Sequence, residues 1–225
     1  MRVDGAAITR PAHPTGAAAT IELTGEAPTY VGRGGRKLAF ALKHFGLDVH
    51  GLDALDAGAG TGGFTDCLLR AGATAVVAVD VGHAQLHPAL RDDPRVLSRE
   101  GQDVRDLGRL TPPVDVVVID VAFLRLRDVL LPCAAAAPQA RWMLGLLKPE
   151  FELPTRDVPQ GGVVRSASGR NAALLGFLAW CEATGFRVTA SRASAVPGRE
   201  GNVETFVLLR PPWPALPSAS VASGR

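Results

Sequence analysis

A glycine-rich segment preceded by an acidic residue is the part of this sequence best suited to bind a small molecule. The segment LDAGAGTGGF, residues 55–64, follows a short apolar run and opens a helical pattern. Its glycines allow a tight turn and let a ligand approach the backbone closely. Neither of the usual phosphate-binding fingerprints fits, because no lysine follows the glycines and Asp56 would repel a phosphate. An acid at this place favours a partly cationic ligand, such as the amino-acid end and sulfonium of S-adenosylmethionine.

Two further aspartates follow later apolar runs and could hold other parts of such a ligand. Asp80 ends the run AVVAVD, where an acidic residue can bind the diol of a ribose with two hydrogen bonds. Asp103 follows the next run and could reach an adenine amino group. The order of acid, glycine loop and acid therefore predicts a site for S-adenosylmethionine. A dinucleotide site, or a plain turn that packs a helix on a strand, remains the alternative.

Four ionisable residues outside this segment are candidates for catalysis. Asp120 and Lys148 each end a predicted strand, and ligands in open α/β sheets bind at the carboxyl ends of the strands. Glu204 begins the last predicted strand, which would start at the same edge if it runs antiparallel. Lys37 lies on a helix before the first strand and could cover that edge. Ordinary ion pairs at strand ends are the alternative interpretation of this set.

The two lysines in this set stand out because the chain uses lysine so rarely. Lysine and arginine together number 24, and the lysines are Lys37, Lys43 and Lys148. A lysine amine can lose its proton, which a guanidinium in a protein does not. Methyl transfer to a hydroxyl requires an acceptor that is held in line and freed of its proton. Lysines oriented by carboxylates could do this for a ribose hydroxyl, which is a weak acid.

The predicted elements alternate between strands and helices, which is typical of an α/β fold with a parallel sheet covered on both faces. We expect a Rossmann-like fold with a mostly parallel sheet and an antiparallel last strand. The apolar runs predict strands at 54–57, 75–80, 96–97, 114–120, 142–147, 186–191 and 204–210. Helical spacing predicts helices over 37–45, 64–71 and 171–184.

Composition and charge exclude few functions but indicate where in the cell the protein is expected to act. The 225 residues carry a formal net charge of +2, which neither indicates nor excludes a nucleic-acid partner. The three cysteines form no CxxC pair, so we predict no metal site and no disulfide. No signal peptide is visible, and the longest apolar stretch, 129–140, is shorter than a membrane span. We therefore expect a soluble, cytoplasmic protein without a membrane partner.

Beyond these patterns, the sequence resembles one known family. The motifs YVGRGGRKL, LDAGAGTGGFTDCLL, AVDVGHAQL, VVIDVAFLRL, LLKPEFE, GGVVR and GNVETF occur in the order found in the TlyA family, over about residues 20–210. These are hemolysin-like ribosomal RNA 2'-O-methyltransferases of the FtsJ type. The resemblance implies the class I fold of S-adenosylmethionine-dependent methyltransferases. It also implies a Lys-Asp-Lys-Glu catalytic tetrad at Lys37, Asp120, Lys148 and Glu204.

The same resemblance implies a cofactor and a substrate. The cofactor would be S-adenosylmethionine, and the substrate a cytidine ribose in ribosomal RNA or ribosomal subunits. The chain departs from the family at Ala122, where serine is common, and at Glu150, where glutamine is common. Neither departure removes a residue of the tetrad. The predicted cofactor-binding residues are Asp56, Gly58, Gly60, Thr61, Gly62, Gly63, Phe64, Asp80 and Asp103.

The resemblance also divides the chain into three segments. Residues 1–28 resemble the end of the small RNA-binding domain with which family members begin. Within them, Asp4-Gly5 predicts a hairpin turn, and residues 19–23 a short strand. Residues 29–210 are the predicted methyltransferase domain. Residues 211–225, which are rich in proline, serine and alanine, are expected to be disordered.

Two other functions stay open at this point. The chain could be a cofactor-binding interaction protein that does little catalysis, because the helical part of the family's RNA-binding domain is absent from it. It could also be a membrane-active hemolysin, as the family's name suggests, although the sequence offers no spanning or strongly amphipathic lytic segment.

Overall fold

A small antiparallel sheet forms near the start of the chain. The computed structural model describes residues 2–8, 13–22, 29–198 and 200–214. Strands β1 (Arg2–Val3), β2 (Ala6–Ala7) and β3 (Ile21–Glu22) pair in the order β2-β1-β3. Asp4 and Gly5 have φ values of 51° and 80°, as a two-residue turn with two left-handed positions requires. The predicted hairpin is confirmed, whereas most of the predicted C-terminal tail, from residue 215 onward, lies outside the described residues.

The main sheet has seven strands in the order β6-β5-β4-β7-β8-β10-β9. Neighbouring strands are parallel except for β10, which runs antiparallel to both β8 and β9. The expected mostly parallel sheet with an antiparallel last strand is therefore confirmed. The strands are β4 (Asp53–Ala57), β5 (Ala75–Asp80), β6 (Val96–Glu100), β7 (Val116–Ile119), β8 (Trp142–Leu147), β9 (Arg187–Ala193) and β10 (Thr205–Arg210).

The sheet order reverses between β4 and β7, and this reversal fixes where a ligand can bind. From β4 the chain moves outward to β5 and β6 and then returns to β7 on the other side of β4. Crevices at the carboxyl ends of the strands around such a switch point are the usual ligand sites of open α/β sheets. Here that crevice lies between the glycine loop after β4 and Asp120 after β7.

Helices cover both faces of the main sheet and bury two apolar cores. Leu38, Leu68 and Phe206 belong to the core on one face, and Val129 and Phe177 to the core on the other. Continuous apolar strands need such cover on both faces. The helices are α1 (Arg33–Phe45), α2 (Gly63–Arg70), α3 (Pro88–Arg91), α4 (Leu126–Ala136), α5 (Pro149–Glu152) and α6 (Ala167–Thr184). Within the described residues, no helix combines the length and the apolar character that a membrane span requires.

Helix α4 was not among the predicted elements, because its sequence contains Pro132. A proline inside a helix removes one hydrogen bond and costs about 3 kcal/mol. Val129, Leu130 and Cys133 are completely buried on one side of this helix. Burial of such side chains contributes roughly 1.5–3 kcal/mol each, so packing outweighs the cost of the proline.

Several predicted boundaries differ by a few residues from the observed ones. The strand predicted at 114–120 spans 116–119, and β10 begins at Thr205, so Asp120 and Glu204 lie just beyond strand ends. The strand predicted at 96–97 continues to Glu100. Helix α6 begins four residues earlier than predicted, because the Ser166 hydroxyl accepts a hydrogen bond from Gly169 N and caps it.

Candidate active site

The glycine loop after β4 is held in place by backbone hydrogen bonds to the neighbouring strand and by one carboxylate. Gly58 N and Ala59 N both donate to Val79 O, at 2.8 and 3.0 Å. The Asp80 carboxylate accepts from Gly60 N at 2.8 Å and from Gly82 N at 2.7 Å. Asp80 thus fixes two loops at once, and its remaining lone pairs are available to a ligand.

An open cleft of about 360 Å³ lies between this loop and the ends of β5, β7 and β8. Most of the predicted site residues line it together. Gly62 does not line it, because its α-carbon packs against Leu86 and Leu90, and a side chain there would collide with both. The predicted residues that line the cleft are Gly58, Gly60, Thr61, Gly63, Phe64, Asp80, Asp120 and Lys148.

A smaller, mostly apolar cavity continues from the cleft on the far side of Asp80. Val81, Val104 and Leu124 line it, together with Asp103. The Asp103 carboxylate pairs with Arg105 at 2.6 Å, and this pairing lowers the pKa of Asp103. The cavity offers apolar walls and one charged edge, which suits a flat heterocycle.

Asp56 is placed behind the loop and does not line the cleft. It is fully buried, and its Oδ2 accepts a hydrogen bond from the Thr65 hydroxyl at 2.7 Å. Its Oδ1 has no hydrogen-bond partner in the described part of the chain. Burial, with a smaller contribution from the charge of Asp120, raises the pKa of Asp56 to about 7. The acid that the sequence singled out as a ligand contact therefore ties β4 to α2.

We expect Asp56→Asn to change how the stability of the protein depends on pH. An unfolded chain ionises this carboxyl near pH 4, whereas the folded protein keeps the proton until about pH 7. The wild type therefore loses stability as pH rises from about 4 to about 7, by about 3 to 4 kcal/mol. The variant lacks this loss. Urea unfolding at pH 4.5 and pH 8 measures it.

Asp92→Asn, which removes an exposed carboxyl, is the matched control for that experiment. Its free energy of unfolding should follow the wild-type pH dependence. If Asp56→Asn also follows the wild type between these pH values, the buried carboxyl is already ionised and the assignment is wrong.

The four predicted catalytic residues form two lysine–carboxylate pairs. Lys148 Nζ lies 2.6 Å from Asp120 Oδ1 and donates a hydrogen bond to Val121 O at 2.8 Å. Lys37 Nζ lies 2.6 Å from Glu204 Oε2, and the two side chains are only 9% and 4% exposed. Lys148 and Asp120 line the cleft, whereas Lys37 and Glu204 lie outside its lining.

Close contacts between α1 and α2 help to position Lys37. A side chain at Gly35 would lie 2.9 Å from Gly63 O, so only glycine lets the two helices touch. At the start of α1, Arg33 donates to Pro197 O at 2.7 Å and to Gly198 O at 3.1 Å. These bonds hold the segment before Glu204 against α1.

Glu150 is a site residue that sequence reasoning noted only as a departure from the family. Burial raises the pKa of its carboxyl, and the charge of Glu204 raises it further while that of Lys148 lowers it. Its Oε2 is buried with no hydrogen-bond partner among the described residues. Glu150 therefore lies within electrostatic reach of both lysine–carboxylate pairs. Its position two residues after Lys148 was the available signal.

Phe123 is a second residue that the sequence did not mark as functional. It lines the cleft, is 89% exposed, and has a φ of 63°, which is uncommon for a residue with a side chain. Its ring centroid lies 5.8 Å from that of Phe151. Strain of this kind costs about 1–3 kcal/mol and tends to occur at functional sites. An exposed ring at this place can stack on a planar base.

The whole arrangement can bind an elongated, partly cationic molecule and accept a proton beside it. The loop and Asp80 offer hydrogen bonds, the side cavity offers an apolar slot, and Lys148 with Asp120 offers an amine oriented by a carboxylate. These are the functions that methyl transfer to a hydroxyl requires.

Comparison with known proteins gives a consistent family assignment. The family model for FtsJ-like methyltransferases matches residues 30–211. The 16S/23S rRNA (cytidine-2'-O)-methyltransferase TlyA of Mycobacterium tuberculosis is 39% identical over 216 residues, which cover 93% of this chain and 80% of that protein.

Solved structures agree with the fold. A hemolysin candidate from Streptococcus thermophilus superposes with a TM-score of 0.78 at 36% identity, covering 85% of this chain and 70% of that one. An S-adenosylmethionine-dependent methyltransferase from Mesorhizobium loti gives a TM-score of 0.55 at 16% identity, over 76% of this chain and 96% of that one. The second likeness bears on the fold alone, and the expected Rossmann-like methyltransferase fold is confirmed.

Proposed function

This chain belongs to the TlyA group of FtsJ-like methyltransferases, and we propose that it transfers a methyl group from S-adenosylmethionine to the 2'-hydroxyl of a cytidine ribose in ribosomal RNA. The observation that carries the proposal is the Lys148–Asp120 pair, which opens into the glycine-lined cleft. The Lys37–Glu204 pair beside it completes the set of residues that the chemistry needs.

The residues of the cleft fit S-adenosylmethionine. A side chain at Gly60 would project into open space, so the loop leaves room for a ligand against its backbone. Gly58–Gly63 would hold the methionine part, Asp80 the ribose, and the cavity beside Asp103 the adenine. When bound, the cofactor supplies a methyl group whose bond to sulfur breaks as the new bond to oxygen forms, leaving a neutral thioether.

Lys148 is the residue that we place at the acceptor hydroxyl. In the proposed reaction its Nζ takes the proton of the 2'-hydroxyl as the new bond to the methyl group forms. Asp120 Oδ1, 2.6 Å away, then stabilises the ammonium that results. Lys37 Nζ, held by Glu204, can donate a hydrogen bond to the same ribose once the RNA is seated.

The choice of RNA as substrate rests on the relatives. The Mycobacterium tuberculosis relative is named for cytidines of 16S and 23S rRNA. We extend that substrate class to this chain, with ribosomal subunits as partners and the cytoplasm as the place of action. The exposed Phe123 ring at the cleft supports a nucleobase as the neighbour of the reacting ribose.

The test is incubation of the purified protein with unmodified ribosomal subunits and S-adenosylmethionine labelled in its methyl group. We expect the label in dinucleotides that resist alkaline hydrolysis, because a methylated 2'-oxygen cannot attack the neighbouring phosphate. Lys37→Ala should abolish the incorporation. If the protein binds the cofactor but labels neither subunit, the chain is a cofactor-binding interaction protein and the proposed function is wrong.

A further inference from the structure

A second groove lies beside the segments that carry Lys37 and Glu204. It has a volume of about 530 Å³ and runs between α1, the start of α6 and the edge strand β9. Phe40, one turn after Lys37, lines it, as do Val203 and Thr205, the two neighbours of Glu204. Gly34, one turn before Lys37, lines the cofactor cleft. Residues that flank Lys37 and Glu204 in the chain therefore line both the cleft and this groove.

The charged side chains that line this groove are all positive. Arg170 and Arg192 line it, and none of the described lining residues is acidic. Within the described ranges neither arginine forms an ion pair, and the only side-chain bond of Arg170 is one to Arg165 O. By contrast, six arginines between the start of α2 and α4 are paired with carboxylates, namely Arg70, Arg91, Arg95, Arg105, Arg125 and Arg127. A groove with uncompensated guanidinium groups is complementary to a polyanion.

The walls of the groove also suit a nucleic-acid strand in shape and chemistry. Among the described residues, strand β9 pairs with β10 on one side only, so its outer edge leaves backbone donors and acceptors free there. Phe40 is the α1 residue that lines the groove, and Arg36 and His44 lie four residues before and after it on the same face of the helix. The Phe40 and His44 rings are stacked with centroids 5.8 Å apart. Flat rings beside cations are typical of surfaces that bind single-stranded RNA.

We propose that this groove binds the ribose–phosphate backbone next to the reacting nucleotide, with Arg170 and Arg192 contacting its phosphates. The inference rests on the proposed function, since it takes the substrate to be RNA. A strand seated in the groove lies next to the residues that flank Lys37 and Glu204, so binding there presents the neighbouring ribose to the cofactor cleft. The groove thus provides affinity for RNA. The two catalytic pairs contribute little to it, because each lysine is neutralised by its carboxylate.

The experiment compares RNA binding by the full-length wild type and the R170A/R192A variant. The probe is a short, fluorescein-labelled oligocytidylate, and the measurement is anisotropy at several KCl concentrations. Two lost phosphate contacts should weaken binding by about tenfold or more. They should also reduce the slope of log affinity against log salt by about 1.4, since each phosphate contact on a single strand contributes about 0.7. R170K/R192K should restore most of both.

The matched control is R109A/R187A, which removes two exposed arginines outside the groove that form no ion pair in the described part of the chain. It should bind the probe like the wild type. Equal affinity and equal salt slope for R170A/R192A and wild type would overturn the proposal, as would an equal loss in the control.

Methylation of ribosomal subunits separates this inference from the proposed function. R170A/R192A should raise the KM for subunits more than it lowers kcat. If the wild type methylates no RNA while the binding difference persists, the proposed function fails and the RNA groove stands. If KM rises but binding of naked RNA is unchanged, the groove contacts a ribosomal protein and the inference is wrong.

Discussion

Replacing Lys148 with methionine is expected to slow methyl transfer to RNA by about two to four orders of magnitude. The substitution removes the amine that lines the cleft and leaves Asp120 without its partner at 2.6 Å. Methionine has a similar length and no charge, so the change tests the amine more than the space it fills. Single-turnover transfer of labelled methyl to ribosomal subunits measures the effect, and calorimetric titration with the cofactor shows whether its binding survives.

Two further variants sharpen that result. Lys43→Ala removes the remaining lysine, which is exposed in the last turn of α1, and should leave the rate unchanged. Lys148→Arg keeps the positive charge but cannot accept a proton, so it should be nearly as slow as the methionine variant. An arginine variant with wild-type turnover would show that Lys148 contributes charge alone, and the proton acceptor would have to be sought elsewhere.

The sheet could be predicted from the sequence because buried parallel strands are apolar throughout. The runs at 75–80 and 142–147 match β5 and β8 residue for residue. Helix α4 could not be predicted, since what stabilises it is burial against the sheet, and only the folded chain shows that its proline is tolerated. The local sequence pattern was sufficient to predict strands in which apolar residues dominate. It failed to predict a helix whose packing against the sheet outweighs its low helix propensity.

The sequence predicted most of the residues that line the cleft, but it could not predict how the charged ones pair. Glycines and acids at strand ends indicate a ligand site at one edge of an α/β sheet, and the family motifs predict the tetrad. The sequence could not show that Lys37 pairs with Glu204 and Lys148 with Asp120, because these contacts join distant segments. Asp56 was predicted to contact the cofactor, whereas the structure buries it behind the loop, and this burial depends on how α2 packs. The arginine-lined groove depends likewise on which arginines the fold leaves unpaired.

Gly58→Ala is expected to lower the rate of methyl transfer at least about 100-fold, because displacing a catalytic group by an ångström can cost that much. Gly58 has a φ of 90°, and a β-carbon there would lie 2.5 Å from Asp120 O and 3.0 Å from Val121 N. Both are backbone atoms and cannot rotate away. The segment that carries the Asp120 carboxylate, and the carbonyl of Val121 that holds Lys148, must therefore move.

The free energy of unfolding distinguishes backbone strain at Gly58 from displacement of the Asp120 segment. A left-handed backbone alone should lower the free energy of unfolding by about 1–2 kcal/mol for a residue with a side chain. Gly108→Ala is the control, since Gly108 has a φ of 63° and open space around its α-carbon. We expect it to show that loss of stability with a wild-type rate. Gly58→Ala should lose more stability and also its activity, because the clash with the Asp120 backbone adds to the strain. If Gly58→Ala methylates RNA at the wild-type rate, the position of the Asp120 segment does not limit the reaction, and the close approach of β4 to β7 at this glycine serves packing only.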